Sequence, residues 1–169
     1  MSTGSFWSRV TAIEGAVAFA LGGSLLAVAV PAFCRSVELS YTAEPVQGLA
    51  RIHKSATAYA AVHTEPARRY PPSAPQTPPV PPRGTREIDP PGTWDHPSWN
   101  ALAFRPCPDG TPHAYAFAFT SSLGADGSSF VATSRGDLDG DGVLSTFEIR
   151  GSSSDISSIG LLDVDSERE

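Results

Sequence analysis

The stretch HAYAFAFTS, residues 113–121, alternates aromatic and small side chains along its central part. Tyr115, Phe117 and Phe119 share one face of an extended chain, and the intervening alanines share the other. This period of two is typical of a β-strand with one face against a core. Further strands of an antiparallel sheet are predicted at residues 101–104, 129–135 and 144–150.

An apolar stripe upstream of this region follows helical spacing. Its members are separated by steps of three and four residues, which places them on one helical face: Leu49, Ile52, Ala56, Tyr59 and His63. A small sheet needs an apolar element against one face, and this stripe supplies it. The predicted fold is therefore α+β, with a long N-terminal helix packed on a small antiparallel sheet.

The segment 15–34 contains no charged residue, and as a helix it would span about 30 Å, the thickness of a bilayer's hydrocarbon core. We predict that it is the transmembrane half of that helix. A cleaved signal peptide and a secreted protein remain the alternative. The expected location is a single pass of the inner membrane with the head in the periplasm, or an extracellular filament.

These patterns divide the chain into successive regions. Ten prolines among residues 66–92 predict a surface loop, because proline removes a backbone donor and fixes φ. The predicted regions are a leader at 1–9, a transmembrane half-helix at 10–35, an amphipathic half-helix at 36–64, a proline-rich loop at 65–97, a sheet at 98–151 and an acidic tail at 152–169.

Charge and motif content exclude several classes of function. The net charge is −6, and residues 121–169 carry ten acidic side chains against three arginines, a net of −7. No basic surface for nucleic acid is indicated. The sequence lacks the usual catalytic signatures, so we expect no enzymatic activity. The two cysteines, Cys34 and Cys107, are not expected to form a disulfide.

One constellation near the N-terminus resembles a known family. Glu14 is followed by Gly23 nine residues later and by Pro31 seventeen residues later. With the amphipathic helix, the variable loop and the meander of strands, this resembles type IV pilin-like proteins and pseudopilins, including the myxobacterial type. The resemblance implies a non-enzymatic structural subunit that assembles with other pilin-like subunits through its N-terminal helix, with Glu14 and Pro31 as assembly residues. In place of the family's glycine and phenylalanine at the leader cleavage point stand Arg9 and Val10.

A second constellation, residues 137–148, fits the calcium-loop pattern of EF-hands. Hard oxygen ligands at this spacing suit Ca²⁺, and the predicted ligands are Asp137, Asp139, Asp141, Val143, Ser145 and Glu148. The flanking residues indicate strands rather than helices, so we expect an incomplete site formed by the three aspartates and a carbonyl. The alternative function is a monomeric, membrane-tethered calcium-binding module with weak affinity, on the order of 0.1–1 mM.

Overall fold

The structure, a computed structural model, describes residues 12–125, 127–153 and 162–165. The chain divides into two compact units, Met1–Thr42 and Ala43–Glu169. Along the chain the elements are helix α1 (Ala12–Val62), a short 3-10 helix (Pro66–Arg68), strand β1 (Ala74–Thr77), helix α2 (Pro97–Ala101), and strands β2 (Tyr115–Gly124), β3 (Gly127–Gly136), β4 (Ser145–Ser152) and β5 (Leu162–Asp165).

The five described strands form one antiparallel sheet in sequence order, β1-β2-β3-β4-β5. The alternation read from residues 113–121 gives β2 its buried face, with Phe117 and Phe119 fully buried. In the ladder, Phe119 lies opposite Ala132 of β3, which in turn lies opposite Ile149 of β4. One face of the sheet is therefore a continuous apolar surface.

The second half of α1 covers this surface. Leu49, Ile52 and Ala56 are completely buried, as the predicted stripe requires. A Cβ atom on Gly48 would lie 2.5 Å from the ring of Phe117, so glycine permits the closest approach of helix and sheet. The buried stripe continues at Ala60 rather than at the predicted Tyr59 and His63, which are only half-buried and stack on one another at 3.8 Å between ring centroids.

The residues from Trp94 to Phe104 close another side of the core. Trp94 and Trp99 are buried there, and their ring centroids lie 5.6 Å apart. The short strand predicted at 101–104 is wrong. The His96 side chain accepts a hydrogen bond from the amide of Ser98 and caps α2, so the chain enters a helix instead.

The predicted long N-terminal helix is also corrected: α1 runs from Ala12 to Val62, but the membrane span expected in its first half is wrong. Across the described residues, no helix combines the length and apolar character needed to cross a membrane. Only the part of α1 from Ala43 onward belongs to the unit that contains the sheet. The predicted inner-membrane or filament location is corrected by the same finding.

Candidate metal site

The acidic loop, defined here as residues 137–142, connects β3 to β4 at one end of the sheet. Its sequence, DLDGDG, places three aspartates at alternate positions, with one glycine between the last two and another after them. Gly140 and Gly142 have φ values of 81° and 95°, in the left-handed region that favours glycine. The two glycines let the chain turn sharply enough to gather the aspartates on one side.

The three carboxylates converge. Asp137, Asp139 and Asp141 each offer an oxygen, and these atoms lie within 4.8 Å of one another. Each carboxylate also accepts a backbone hydrogen bond from within the segment. Asp137 Oδ1 accepts from the amide of Gly140 at 2.8 Å. Asp139 Oδ1 accepts from Asp141 at 3.1 Å, and Asp141 Oδ1 from Val143 at 2.7 Å. These bonds hold one oxygen of each carboxylate and orient the second.

Arg83 of the proline-rich loop supplies the positive charge at this site. Its Nε donates to Asp137 Oδ2 at 3.1 Å, and the carboxylate of Asp137 is 1% exposed. The neighbouring amide of Gly84 donates to the carbonyl of Asp137 at 2.8 Å. Arg83 was not predicted from the sequence, because it lies 54 positions before Asp137 and no local pattern links it to the loop. The site thus contains three carboxylates and one guanidinium, which pairs with Asp137, and it keeps an excess of negative charge.

Two of the remaining predicted ligands, Ser145 and Glu148, make contacts elsewhere, and the carbonyl of Val143 stays a predicted ligand. The hydroxyl of Ser145 is buried and donates to the carbonyl of Gly136 at 3.2 Å. Val143 is exposed, and its amide is used by Asp141. Glu148 lies opposite Thr133 in the β3–β4 ladder and accepts from Nε of Arg150 at 2.5 Å.

The position of Glu148 follows from strand geometry. Side chains alternate along β4, and its neighbours Phe147 and Ile149 point into the core. Glu148 therefore points to the opposite face of the sheet. In an EF-hand the twelfth residue sits in a helix, whereas here it is in a strand. The described site consists of the three aspartates.

The predicted assembly residues lie in the first unit. Glu14 is exposed in the first turn of α1. Pro31 falls within the bounds of α1, and its side chain lies outside the described residues. The side chain of Cys34 is likewise outside them. Cys107 has a free thiol that donates to the carbonyl of Thr111 at 3.0 Å, and burial raises the pKa of this thiol.

A second polar cluster, which the sequence analysis missed, is buried near the start of β2. Asp89 Oδ2 accepts from the indole N–H of Trp94 at 2.6 Å and lies 2.6 Å from Nε2 of His113. The other ring nitrogen of His113 lies 2.9 Å from the carbonyl of Tyr115. The imidazole is 2% exposed. The indole N–H of Trp94 and both ring nitrogens of His113 thus have partners within the protein.

Glu44 of α1 completes the second cluster. Its Oε1 accepts from the amides of Ala114 and Tyr115, at 3.0 and 3.1 Å, and its Oε2 lies 3.9 Å from Arg86. Both amides belong to buried residues at the edge of β2, beyond the last residue that β1 pairs with. The carboxylate therefore satisfies donors that the sheet leaves unpaired, and it joins α1 to the sheet.

Comparison of the chain with protein-family models, curated proteins and solved structures found no match. The function must therefore be argued from the site. Chemically, the acidic loop offers converging carboxylate oxygens with residual negative charge, the kind of ligand set that hard divalent cations prefer.

Proposed function

We propose that the chain is a non-enzymatic structural module whose acidic loop binds one calcium ion. The observation that carries this proposal is the convergence of three carboxylates within 4.8 Å, with a single guanidinium against one of them. Like charges at this separation repel, so a bound cation relieves a cost that the loop otherwise retains.

Calcium suits the loop better than magnesium does. Ca²⁺ accepts six to eight oxygens in variable geometry, whereas Mg²⁺ demands a near-ideal octahedron and loses water reluctantly. The backbone hydrogen bonds to Asp139 and Asp141 each leave one carboxylate oxygen for a cation. Waters complete the shell where Glu148 is missing. Such a partial ligand set supports weak binding, with a dissociation constant on the order of 0.1–1 mM.

Equilibrium dialysis with radioactive calcium tests this function on the full chain. We expect one bound calcium ion per chain, and we expect magnesium to displace it only weakly. The double variant Asp139→Ala/Asp141→Ala is expected to bind none. A matched control replaces two exposed aspartates outside the loop, Asp95→Ala/Asp109→Ala, and is expected to bind like the wild type. Equal calcium binding by both double variants would contradict the proposal.

A second candidate function, assembly with further copies of the chain, is favoured by the first half of α1. Its apolar side chains are largely exposed, with Phe19 at 85% and Leu25 at 72%. Contiguous exposed apolar surface marks interaction sites in proteins. Helices that present small residues beside such side chains approach one another closely, and a Cβ atom on Gly22 would meet nothing within 4 Å.

Sedimentation equilibrium tests this second candidate. In about 0.5 M sodium chloride, which screens contacts between exposed charges, the variant Phe19→Ser/Leu25→Ser is expected to lose self-association that the wild type retains. Val62→Ser is the matched control, because Val62 is also exposed on α1 but lies in the second unit. A wild-type chain that stays monomeric over the whole concentration range would contradict assembly.

A further inference from the structure

A groove of about 680 Å³ lies between the second half of α1 and the segment that follows α2. Apolar side chains form its floor and cations form its rim. The residues that matter are Ala58, Ala103 and Phe104 on the floor, and Arg51, Lys54 and Arg105 on the rim. No acidic residue lines this groove. Lys54 is the only lysine in the sequence.

Two of the three cations in the groove have no negative partner among the described residues. Arg105 is compensated, because it pairs with Asp109 at 2.7 Å and with Asp95 at 3.6 Å. Arg51 instead donates to the carbonyls of Arg105 and Pro106. Its guanidinium carbon lies 5.2 Å from the ring centroid of Phe104. These contacts hold Arg51 in place without neutralising it.

Lys54 is exposed three positions further along the same helix, and it makes no ion pair with the described part of the chain. Residues three apart on a helix are neighbours. Arg51 and Lys54 therefore present two adjacent, uncompensated positive charges above an apolar floor. An anionic partner with an apolar residue beside its charges is the complement of this groove.

The chain carries that complement itself. Three of the ten acidic residues in 121–169 lie in the acidic loop, and two of these, Asp139 and Asp141, are exposed. Val143, 48% exposed, lies two positions after Asp141 and supplies an apolar side chain. Two adjacent carboxylates and one aliphatic side chain match the two cations and the apolar floor.

We propose that the acidic loop of a second copy of the chain docks in the groove formed by Arg51, Lys54 and Phe104. Groove and loop are different surfaces, so the contact is head-to-tail, and a pair of copies keeps one free groove and one free loop. Repetition of such a contact builds rings or open chains. The contact does not require calcium, and calcium in the loop opposes it by neutralising the carboxylates.

Zero-length carbodiimide cross-linking tests this proposal on the full chain. The experiment uses an equal mixture of ¹⁴N- and ¹⁵N-labelled protein in chelator, so that the result is independent of calcium binding. We expect mass spectrometry to find a mixed-isotope amide bond between Lys54 and Asp139 or Asp141. About 0.5 M sodium chloride should abolish it, because salt screens exposed charges. No mixed-isotope product, or one that joins Lys54 to carboxylates elsewhere, would overturn the contact.

Charge exchange provides an independent readout. Lys54→Glu and Asp139→Lys should each weaken self-association about fivefold, on the order of 1 kcal/mol for a rim charge. A mixture of the two variants should restore it, because the acidic groove of one receives the basic loop of the other. Lys54→Arg is the control and should associate like the wild type while losing the cross-link. Failure of the mixture to associate would also overturn the proposal.

Discussion

Two groups of carboxylates in the sheet unit have opposite surroundings. Asp89 and Glu44 lie in the buried cluster at the start of β2, where an imidazole, an indole and two backbone amides face them. Asp139 and Asp141 lie in the acidic loop, where the nearest cation, Arg83, faces Asp137 instead. The first group is satisfied from within the protein, and the second keeps negative charge that only an external partner can compensate.

This difference separates a structural role from a binding role. A buried carboxylate with several donors is held by groups that lose their own partners when it is removed. Removing a carboxylate from the exposed acidic loop should change the free energy of unfolding little, whereas a bound cation should stabilise such a carboxylate. We therefore expect substitutions in the first group to change stability, and substitutions in the second to change only the response to ligands.

The largest expected effect is that of Asp89→Ala. This substitution leaves the imidazole of His113 and the indole of Trp94 buried without their acceptor. Breaking a buried pair costs about 3–5 kcal/mol in the free energy of unfolding. Urea denaturation measures the change, with Asp95→Ala as the control because Asp95 forms an exposed pair with Arg105. Equal losses in the free energy of unfolding for Asp89→Ala and Asp95→Ala would contradict a structural role for the buried cluster.

Glu44→Ala is expected to cost about 3 kcal/mol in the same experiment, since it leaves two buried amides without an acceptor. Glu44→Gln keeps a carbonyl oxygen at the same place and should cost about 1 kcal/mol. The informative quantity is the difference in the free energy of unfolding between the alanine variant and the glutamine variant. If both variants lose the same stability, the negative charge rather than the hydrogen bonding holds α1 to β2.

Calcium should raise the melting temperature of the full chain by several degrees. At a concentration about 100 times the dissociation constant, a ligand specific for the folded state stabilises it by about 2.7 kcal/mol. For a unit of this size that corresponds to several degrees. Magnesium should do less, and Asp139→Ala/Asp141→Ala should abolish the effect. An equal rise with sodium at matched ionic strength would mean that only screening is at work.

Arg83→Gln should have the smallest effect, and that effect should be an increase in calcium affinity. Removing the guanidinium frees Asp137 Oδ2 and removes a positive charge that repels calcium. We expect calcium affinity to rise about threefold, or about 0.6 kcal/mol, since the exposed guanidinium is strongly screened. Arg86→Gln is the matched control because Arg86 lies beside Glu44. A fall in calcium affinity for Arg83→Gln would show that the arginine orders the loop more than it opposes the ion.

Sequence reasoning succeeded where the determining residues are close together in the chain. The alternation in residues 113–121 predicts the buried face of β2, and the spacing of the aspartates predicts their convergence, because both follow from local backbone geometry. It failed for Arg83 and Glu44, whose partners are 54 and 70 or 71 positions away. The strand predicted at 101–104 failed because a short apolar run fits a helix end equally well. The membrane span predicted for residues 15–34, from their lack of charge and their length as a helix, was wrong.

The central claim is that the acidic loop, unlike the buried cluster, receives a cation. Calcium titration followed by ¹H–¹⁵N correlation spectra of the full chain tests it most directly, because each amide reports on its own surroundings. The account predicts saturable shifts of the Gly140 and Gly142 amides with a midpoint on the order of 0.1–1 mM. The indole of Trp94 and the amide of Ala114 should stay in place. Loop amides that do not move, or that move equally with magnesium and sodium, would contradict the account.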